Sequence, residues 1–361
     1  MKIALVYDRV NKIGGAERVL VALHNLFPQA PLYTTVYHSK GAPWAKAFKV
    51  IPSFLQKWPI PKNRHEFYPW LAPFAFESFS FDEFEVVISI SSAEAKGIIT
   101  KPSTFHLCYC LTPTRYLWGD NIESYKVPLL AKPLLRFLRN WDKVAAHRPD
   151  AYLSISQNVK ERIKKYYNLN STVVYPPVDT QFFEPGEEKE DFFLVVSRLV
   201  PYKKVDLVLE AFNEVGWPLK VIGTGLEEGR FKRMAKKNIQ FLGQLTDSEL
   251  LSYYQRCRAV LFATEEDFGL VPLEAQACGK PVIALKKGGA LETIIEGKTG
   301  KFFYPQTKEA LLATLAKFKD DEYYFRDCRE NAEKFSLESF KKNFTQAFDN
   351  LWQSYLKNTF S

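Results

Sequence analysis

Two apolar runs of buried-strand length, Ala259–Ala263 (A-V-L-F-A) and Pro281–Leu285 (P-V-I-A-L), bracket the stretch Ala263–Val282, which reads A-T-E-E-D-F-G-L-V-P-L-E-A-Q-A-C-G-K-P-V. Gly269 opens a segment of helical spacing (Val271, Leu273, Ala275, Ala277, Cys278) that stops at Gly279. Strand, acidic turn, helix and strand make one unit of a parallel sheet, and ligands of such sheets gather at the carboxyl ends of the strands. Glu266 falls at that end, and Glu274 lies eight residues on, about two helical turns away. The backbone N–H groups of Phe268, Gly269 and Leu270 begin a helix and so lack intrahelical partners. Two carboxylates plus such amides suit a ligand rich in hydroxyls, a sugar and a ribose for example. The same spacing also suits a solvated helix face.

The rest of the chain repeats the alternation. Lys2–Asp8, Val86–Ser91, Phe105–Leu111 and Ala151–Ser156 read as core strands in the first half. Phe192–Val196, Lys220–Ile222 and Ile239–Leu242 read so in the second. Helical patterns run over Pro128–Ala146, Gln157–Tyr167 and Leu337–Lys357. Strands alternating with helices predict an α/β fold with doubly wound parallel sheets. A length of 361 residues suits two domains. Pro176-Pro177 breaks regular structure and suits a hinge. The expected organisation is therefore 1–176, 177–336, and a last helix over 337–361.

The wording of the donor stretch resembles the signature of retaining glycosyltransferase family 4. S-R-L-V-P-Y-K-K-V-D-L-V-L-E-A-F (Ser197–Phe212), F-L-G-Q-L-T-D-S-E-L (Phe241–Leu250) and G-G-A-L-E-T-I-I-E-G-K-T-G (Gly288–Gly300) fall in that family's order. The resemblance implies the GT-B architecture, two Rossmann-like domains facing a central cleft, with the last helix crossing back to the first domain. It implies a hexosyltransferase that takes a nucleotide-sugar donor and a glycan or lipid-linked saccharide acceptor. The wording is nearest to bacterial mannosyltransferases of O-antigen and exopolysaccharide assembly, so GDP-mannose is the expected donor.

The resemblance also distributes roles. Glu266 contacts the donor sugar beside the reacting centre, and Glu274 holds the ribose hydroxyls. Arg198 and Lys203 stabilise the diphosphate as it leaves; two cations there can replace a metal, and the chain contains no D-x-D motif, so no metal and no cofactor are expected. Gly223 and Gly225 would admit the nucleotide, with an ordinary core turn as the alternative, and Leu245 would lie along the base. Gly15, in a glycine pair at the mouth of a helix, would face the donor phosphates. The roles of Gly288-Gly289 and Glu292 stay open. T-P-T-R-Y-L-W-G-D (Thr112–Asp120) resembles an acceptor-side loop, with Arg115, Asp120 and the nearby His106 as candidate contacts. His106 also reads as a core histidine. Relatives often carry a histidine just before the Thr-Pro, where this chain has Leu111.

Residues 44–80 interleave ten aromatics with lysines, arginine and prolines. They read either as a partly helical insertion packed on its domain or as a surface for membrane or lipid acceptor. The net charge of +8 would permit nucleic acid, but no RNA-binding motif accompanies it, and no nucleic-acid partner is expected. Five cysteines without a C-x-x-C pair point to buried thiols in a reducing compartment. With no signal-peptide pattern and no apolar run of about 20 residues, the expectation is a cytoplasmic protein, peripheral on the membrane face.

Overall fold

The computed structural model describes residues 1–12, 14–58, 69–119 and 132–360. The chain divides into two compact units, Met1–Pro176 together with the residues from Phe340 onward, and Pro177–Ser339. Each is built on one sheet whose strands alternate with helices and pair only in parallel.

In the first unit the strands are β1 (Ile3–Tyr7), β2 (Leu32–Thr34), β3 (Val50–Pro52), β4 (Val86–Ser91), β5 (Phe105–Cys110), β6 (Ala151–Ser154) and β7 (Thr172–Val173). Their order is β3-β2-β1-β4-β5-β6-β7. β4 and β5 are buried at every position, as strands covered on both faces must be. β6 stops two residues short of the predicted Ser156. Ser156 has left the strand to cap the next helix, Gln157–Tyr167, its Oγ accepting from Val159 N at 3.0 Å.

β2, β3 and β7 carry only two or three residues each, too few for a periodic signal. The described part of residues 44–80 is partly helical and packs Phe48 and Phe76 on its domain, as one of the two readings expected. Within it Val50–Pro52 also pairs with β2 and forms the sheet edge. Proline is tolerated there because an edge strand need not donate on its outer side. Phe48 and Phe76 are buried, whereas Phe54, Trp58, Trp70 and Phe74 stay between 38% and 52% exposed. The predicted Phe67, Tyr68, Lys62 and Arg64 of this stretch lie outside the described residues.

The final helix, Leu337–Phe360, explains why the chain's end belongs to the first unit. Phe340, Phe344, Phe348 and Trp352 recur every four residues and form one stripe. Phe344 meets Tyr109 edge-on at 6.1 Å, and Phe105 of β5 packs against Trp352 at 5.6 Å and Tyr355 at 5.0 Å. Each buried aromatic of this kind contributes about 1.5–3 kcal/mol.

The second unit holds β8 (Phe193–Val196), β9 (Leu219–Ile222), β10 (Ile239–Gly243), β11 (Val260–Phe262), β12 (Val282–Leu285) and β13 (Gly300–Phe303). Their order is β10-β9-β8-β11-β12-β13. β13 was not visible in sequence, since G-K-T-G-K reads as a turn. Its backbone pairs with β12 over four residues nonetheless.

In each sheet the strand order reverses once, between β1 and β4 and between β8 and β11. A parallel sheet opens a crevice outside the carboxyl ends of its strands at such a reversal.

Candidate active site

The residues singled out in the second unit collect at its reversal point. β8 runs out into Ser197 and Arg198, then into the turn Pro201–Lys203, and β11 runs out into Ala263–Glu266. Thr264 Oγ1 donates to the Tyr202 carbonyl at 3.2 Å and ties the two loops. Across them the Lys203 ammonium pairs with the Glu266 carboxylate, both side chains about 15% exposed. Arg198 donates to the Tyr202 hydroxyl at 2.5 Å. The ring of Tyr202 lies 5.9 Å from the Arg198 guanidinium and 5.5 Å from the Lys203 ammonium. Tyr202 therefore spaces the two cations, a role the sequence reading missed although the residue stands directly before Lys203.

The helix after the acidic turn, Leu270–Ala277, starts at Gly269, whose φ of +90° favours glycine. A Cβ there would also approach Phe262 Cζ to 2.9 Å. Phe268 is buried and packs on Phe335 at 5.7 Å, so it acts as the anchor of the turn. Leu270, partly buried, is the first helical residue. Glu274 is 5% exposed and accepts from the Tyr254 hydroxyl at 2.9 Å, which rules out a solvated helix face.

The glycines have structural explanations. A Cβ on Gly223, at φ +130°, would stand 1.9 Å from Ser197 O, and one on Gly225 would stand 2.2 Å from Leu199 O. Both let the loop after β9 close on the loop after β8, the core-turn alternative. The Gly288-Gly289 pair, whose role was open, clamps the acidic turn: Gly289 N donates to Glu266 O at 2.9 Å, and a Cβ on Gly289 would strike Phe268 O. Leu245 lies partly buried just past β10. Glu292 sits in the short helix Ala290–Thr293.

In the first unit Gly15 is exposed at the start of the helix Gly15–Leu26. The acceptor reading of His106 is corrected. The residue is fully buried in β5, its Nε2 meets Ser89 Oγ at 2.8 Å, and Asp150 accepts from its backbone N–H at 2.7 Å. Burial, with the nearby Arg148 charge, pushes its imidazole down to about 3. It is a neutral core histidine. Arg115 is exposed and opens the short helix Arg115–Trp118, while Asp120 lies outside the described residues.

The loop carrying Arg115 is held from below. Asp142, wholly buried, accepts from Lys96 Nζ (2.6 Å), Thr114 Oγ1 (2.6 Å), Trp118 Nε1 (2.6 Å) and Tyr167 OH (2.7 Å). Burial alone would lower the Lys96 ammonium, but Asp142 beside it outweighs that and holds it above its ordinary value. Removing one partner of such a pair costs about 3–5 kcal/mol. Among the described residues, no group of three or more His, Cys, Asp or Glu could hold a metal ion. No helix of the described residues is long and apolar enough to cross a membrane.

Comparison with known proteins decides the family. Residues 177–335 match the family model described as "Glycosyl transferases group 1", and residues 13–182 match "Glycosyltransferase Family 4". The chain belongs to glycosyltransferase family 4. Among curated family relatives, an uncharacterized glycosyltransferase of Methanocaldococcus jannaschii is 28% identical over 203 residues, 55% of this chain and 58% of that protein. The O-antigen chain mannosyltransferase C of Escherichia coli is 27% identical over 260 residues, 66% of this chain and 68% of the relative. The chain thus spans between about two fifths and two thirds of the length of the curated relatives it matches. Among solved structures, Anabaena HepE in complex with UDP and glucose aligns with a TM-score of 0.73 and 18% identity, over 97% of this chain and 99% of that one. That likeness establishes a GT-B fold of two Rossmann-like domains.

Proposed function

We propose that this glycosyltransferase moves mannose from GDP-mannose to a glycan or lipid-linked saccharide of cell-envelope polysaccharide, with retention of configuration. The observation that carries the reading is the Lys203–Glu266 pair beside Arg198 and the buried Glu274, all at the reversal point of the second sheet. The resemblance to mannosyltransferases of O-antigen assembly supports mannose as the sugar.

In this reaction the bond between the sugar's anomeric carbon and the β-phosphate oxygen breaks, and a bond from the acceptor hydroxyl oxygen forms on the same face. The acceptor's proton passes to the leaving phosphate oxygen. Arg198 and Lys203 meet the charge that develops on the diphosphate, the term that dominates most transfer reactions. Glu266 orients the donor sugar, and Glu274, fixed by Tyr254, takes the ribose hydroxyls. No metal enters this scheme. The first unit supplies the acceptor side and, through residues 44–80, contact with an anionic lipid surface.

A second reading keeps the site and changes the donor to a UDP- or TDP-hexose; the UDP and glucose held by the HepE neighbour favour it. A third, a nucleotide-sugar binder without turnover, is favoured by Leu111 standing where relatives often carry histidine. A donor panel separates them, with GDP-mannose, UDP-glucose, UDP-galactose and TDP-rhamnose offered with and without polyprenyl diphosphate-linked saccharides. Consumption of GDP-mannose alone supports the first reading. Turnover of another sugar retires only the donor, and binding without any turnover retires the enzyme.

A further inference from the structure

The first sheet has its own reversal point, between β1 and β4, and a crevice at the carboxyl ends of those strands is where such a sheet takes a ligand. Asp8 and Arg9 follow β1, and Ser92–Glu94 follow β4. Asp8 welds the two loops: its carboxylate accepts from Ser92 N (2.7 Å), Ser92 Oγ (2.9 Å) and Ala95 N (2.8 Å). On this frame Glu94, whose side chain is 1% exposed, receives Arg9 Nη2 at 2.6 Å and the Tyr116 hydroxyl at 2.5 Å. Arg9 and Tyr116 keep partial exposure. Tyr116 belongs to the loop after β5, so three strand ends converge on one buried carboxylate.

A carboxylate with no exposure of its own cannot be a surface salt bridge, and burying it is unfavourable unless it is fully paired. Here both oxygens are paired, and the guanidinium and the phenol that share them keep partial exposure at the carboxyl ends of these strands. A planar donor fork next to an aromatic face suits the hydroxyls and the apolar face of a sugar ring.

We propose that Arg9 and Tyr116 form the polar wall of the acceptor saccharide site and that Glu94 is the positioning residue that holds them there. The assignment rests on the glycosyltransferase reading above. It also gives acceptor binding a pH dependence of its own. Burial raises the Glu94 carboxyl above its ordinary value, against the opposing pull of Arg9. The groups around it are Arg9, Asp8, Tyr116 and Lys96. When pH falls through that raised value, Glu94 takes a proton, Arg9 loses its counter-charge and Tyr116 loses its acceptor.

The test is steady-state kinetics with the polyprenyl diphosphate-linked saccharide that wild type uses, varying acceptor and donor separately over a range of pH. Glu94→Gln is expected to raise the acceptor KM about tenfold, the worth of one charge-assisted hydrogen bond. Donor KM is expected to hold within about twofold, well under the value of a lost hydrogen bond. Wild type is expected to show a rise in acceptor KM on the acid side, and that rise should be missing from Glu94→Gln. Tyr116→Phe removes a single hydroxyl and keeps the Arg9–Glu94 pair, so it decides the matter if Glu94→Gln does not fold; a rise of about threefold is expected. Wild-type acceptor KM in Tyr116→Phe, or a Glu94→Gln protein that loses only folded fraction, overturns the assignment. If wild type turns over no donor with any acceptor, the glycosyltransferase reading fails and takes this assignment with it. Turnover with unmoved acceptor KM sinks the assignment alone.

Discussion

The Lys203 ammonium and the Glu266 carboxylate form an ion pair that bridges the loops leaving β8 and β11. A diphosphate reaching Lys203 has to draw the cation away from this carboxylate, and two anions then share one counter-charge. Glu266→Gln removes that competition. The variant is expected to bind free GDP about threefold to tenfold more tightly, as loss of a nearby like charge implies. Its turnover is expected to fall by about a hundredfold or more, because the carboxylate proposed to orient the donor sugar is gone. Calorimetric titration with GDP and a transfer assay read the two effects separately. Weaker GDP binding in Glu266→Gln would sink the proposed competition.

Tyr254 fixes the other carboxylate, Glu274, through one hydrogen bond of 2.9 Å in a buried setting. Tyr254→Phe keeps the ring and deletes the hydroxyl. The expected result is a GDP dissociation constant raised about fivefold, with the guanine-free ligand mannose 1-phosphate unaffected. An unchanged GDP affinity would mean that Glu274 needs no orienting partner.

These two relationships show what the sequence made legible and what it did not. The alternation of apolar runs with helical spacing was enough for two doubly wound sheets, because long buried strands such as β4 and β5 leave continuous signals. Motif wording singled out the paired glutamates, Arg198 and Lys203, and the fold carries them on the loops and helix that follow β8 and β11. Tyr254, Arg9 and Glu94 were not legible, since each acts on a partner that only the folded chain brings near, and Tyr202, though next to Lys203, shows its place between the two cations only through its ring contacts. Tyr254 is 20 positions from Glu274, and Glu94 is 85 from Arg9. His106 stood close in sequence to the acceptor-side loop, yet the pleat of β5 turns it into the core, where Ser89 receives it. Gly223 and Gly225 close on neighbouring carbonyls, and a glycine that admits a ligand and one that admits a carbonyl are identical in sequence.

His106 makes the first unit sensitive to acid. Its imidazole is depressed from 6.5 to about 3 by burial, with Arg148 adding to the effect. Between those values the unfolded chain binds a proton that the native state refuses. Stability is therefore full above pH 6.5 and is lost as pH falls toward 3, at about 1.4 kcal/mol per pH unit from this group. Urea unfolding of wild type and His106→Asn at pH 7.0, 6.0 and 5.0 checks this. The variant's stability is expected to fall less steeply with pH, and equal slopes would contradict the assignment of a neutral buried histidine.

Phe54, Trp58, Trp70 and Phe74 are all exposed. Their segments share a small core in which Leu55 packs with Leu71, Ala75 and Val36, so the four rings stand on one supported region. Lys40, Lys46, Lys49 and Lys57 are exposed nearby in sequence. Aromatics at the interface with lysines beside them fit an anionic bilayer. Sedimentation with vesicles containing phosphatidylglycerol is expected to carry the protein down, neutral phosphatidylcholine vesicles far less. Trp58→Ser with Phe74→Ser should weaken binding about tenfold or more, in line with the apolar area withdrawn. Equal partition onto neutral and anionic vesicles would contradict the surface proposed here.

Under the proposed function, the reversal point of the second sheet transfers a sugar from a nucleotide. The most direct measurement follows GDP release and labelled mannose transfer from GDP-mannose to a polyprenyl diphosphate-linked saccharide, in wild type and Arg198→Ala side by side. The expected result is coupled release and transfer in wild type, slowed about a hundredfold or more in the variant by loss of a cation on the leaving diphosphate. Transfer at the wild-type rate in Arg198→Ala would place the chemistry away from Arg198 and contradict the proposed function.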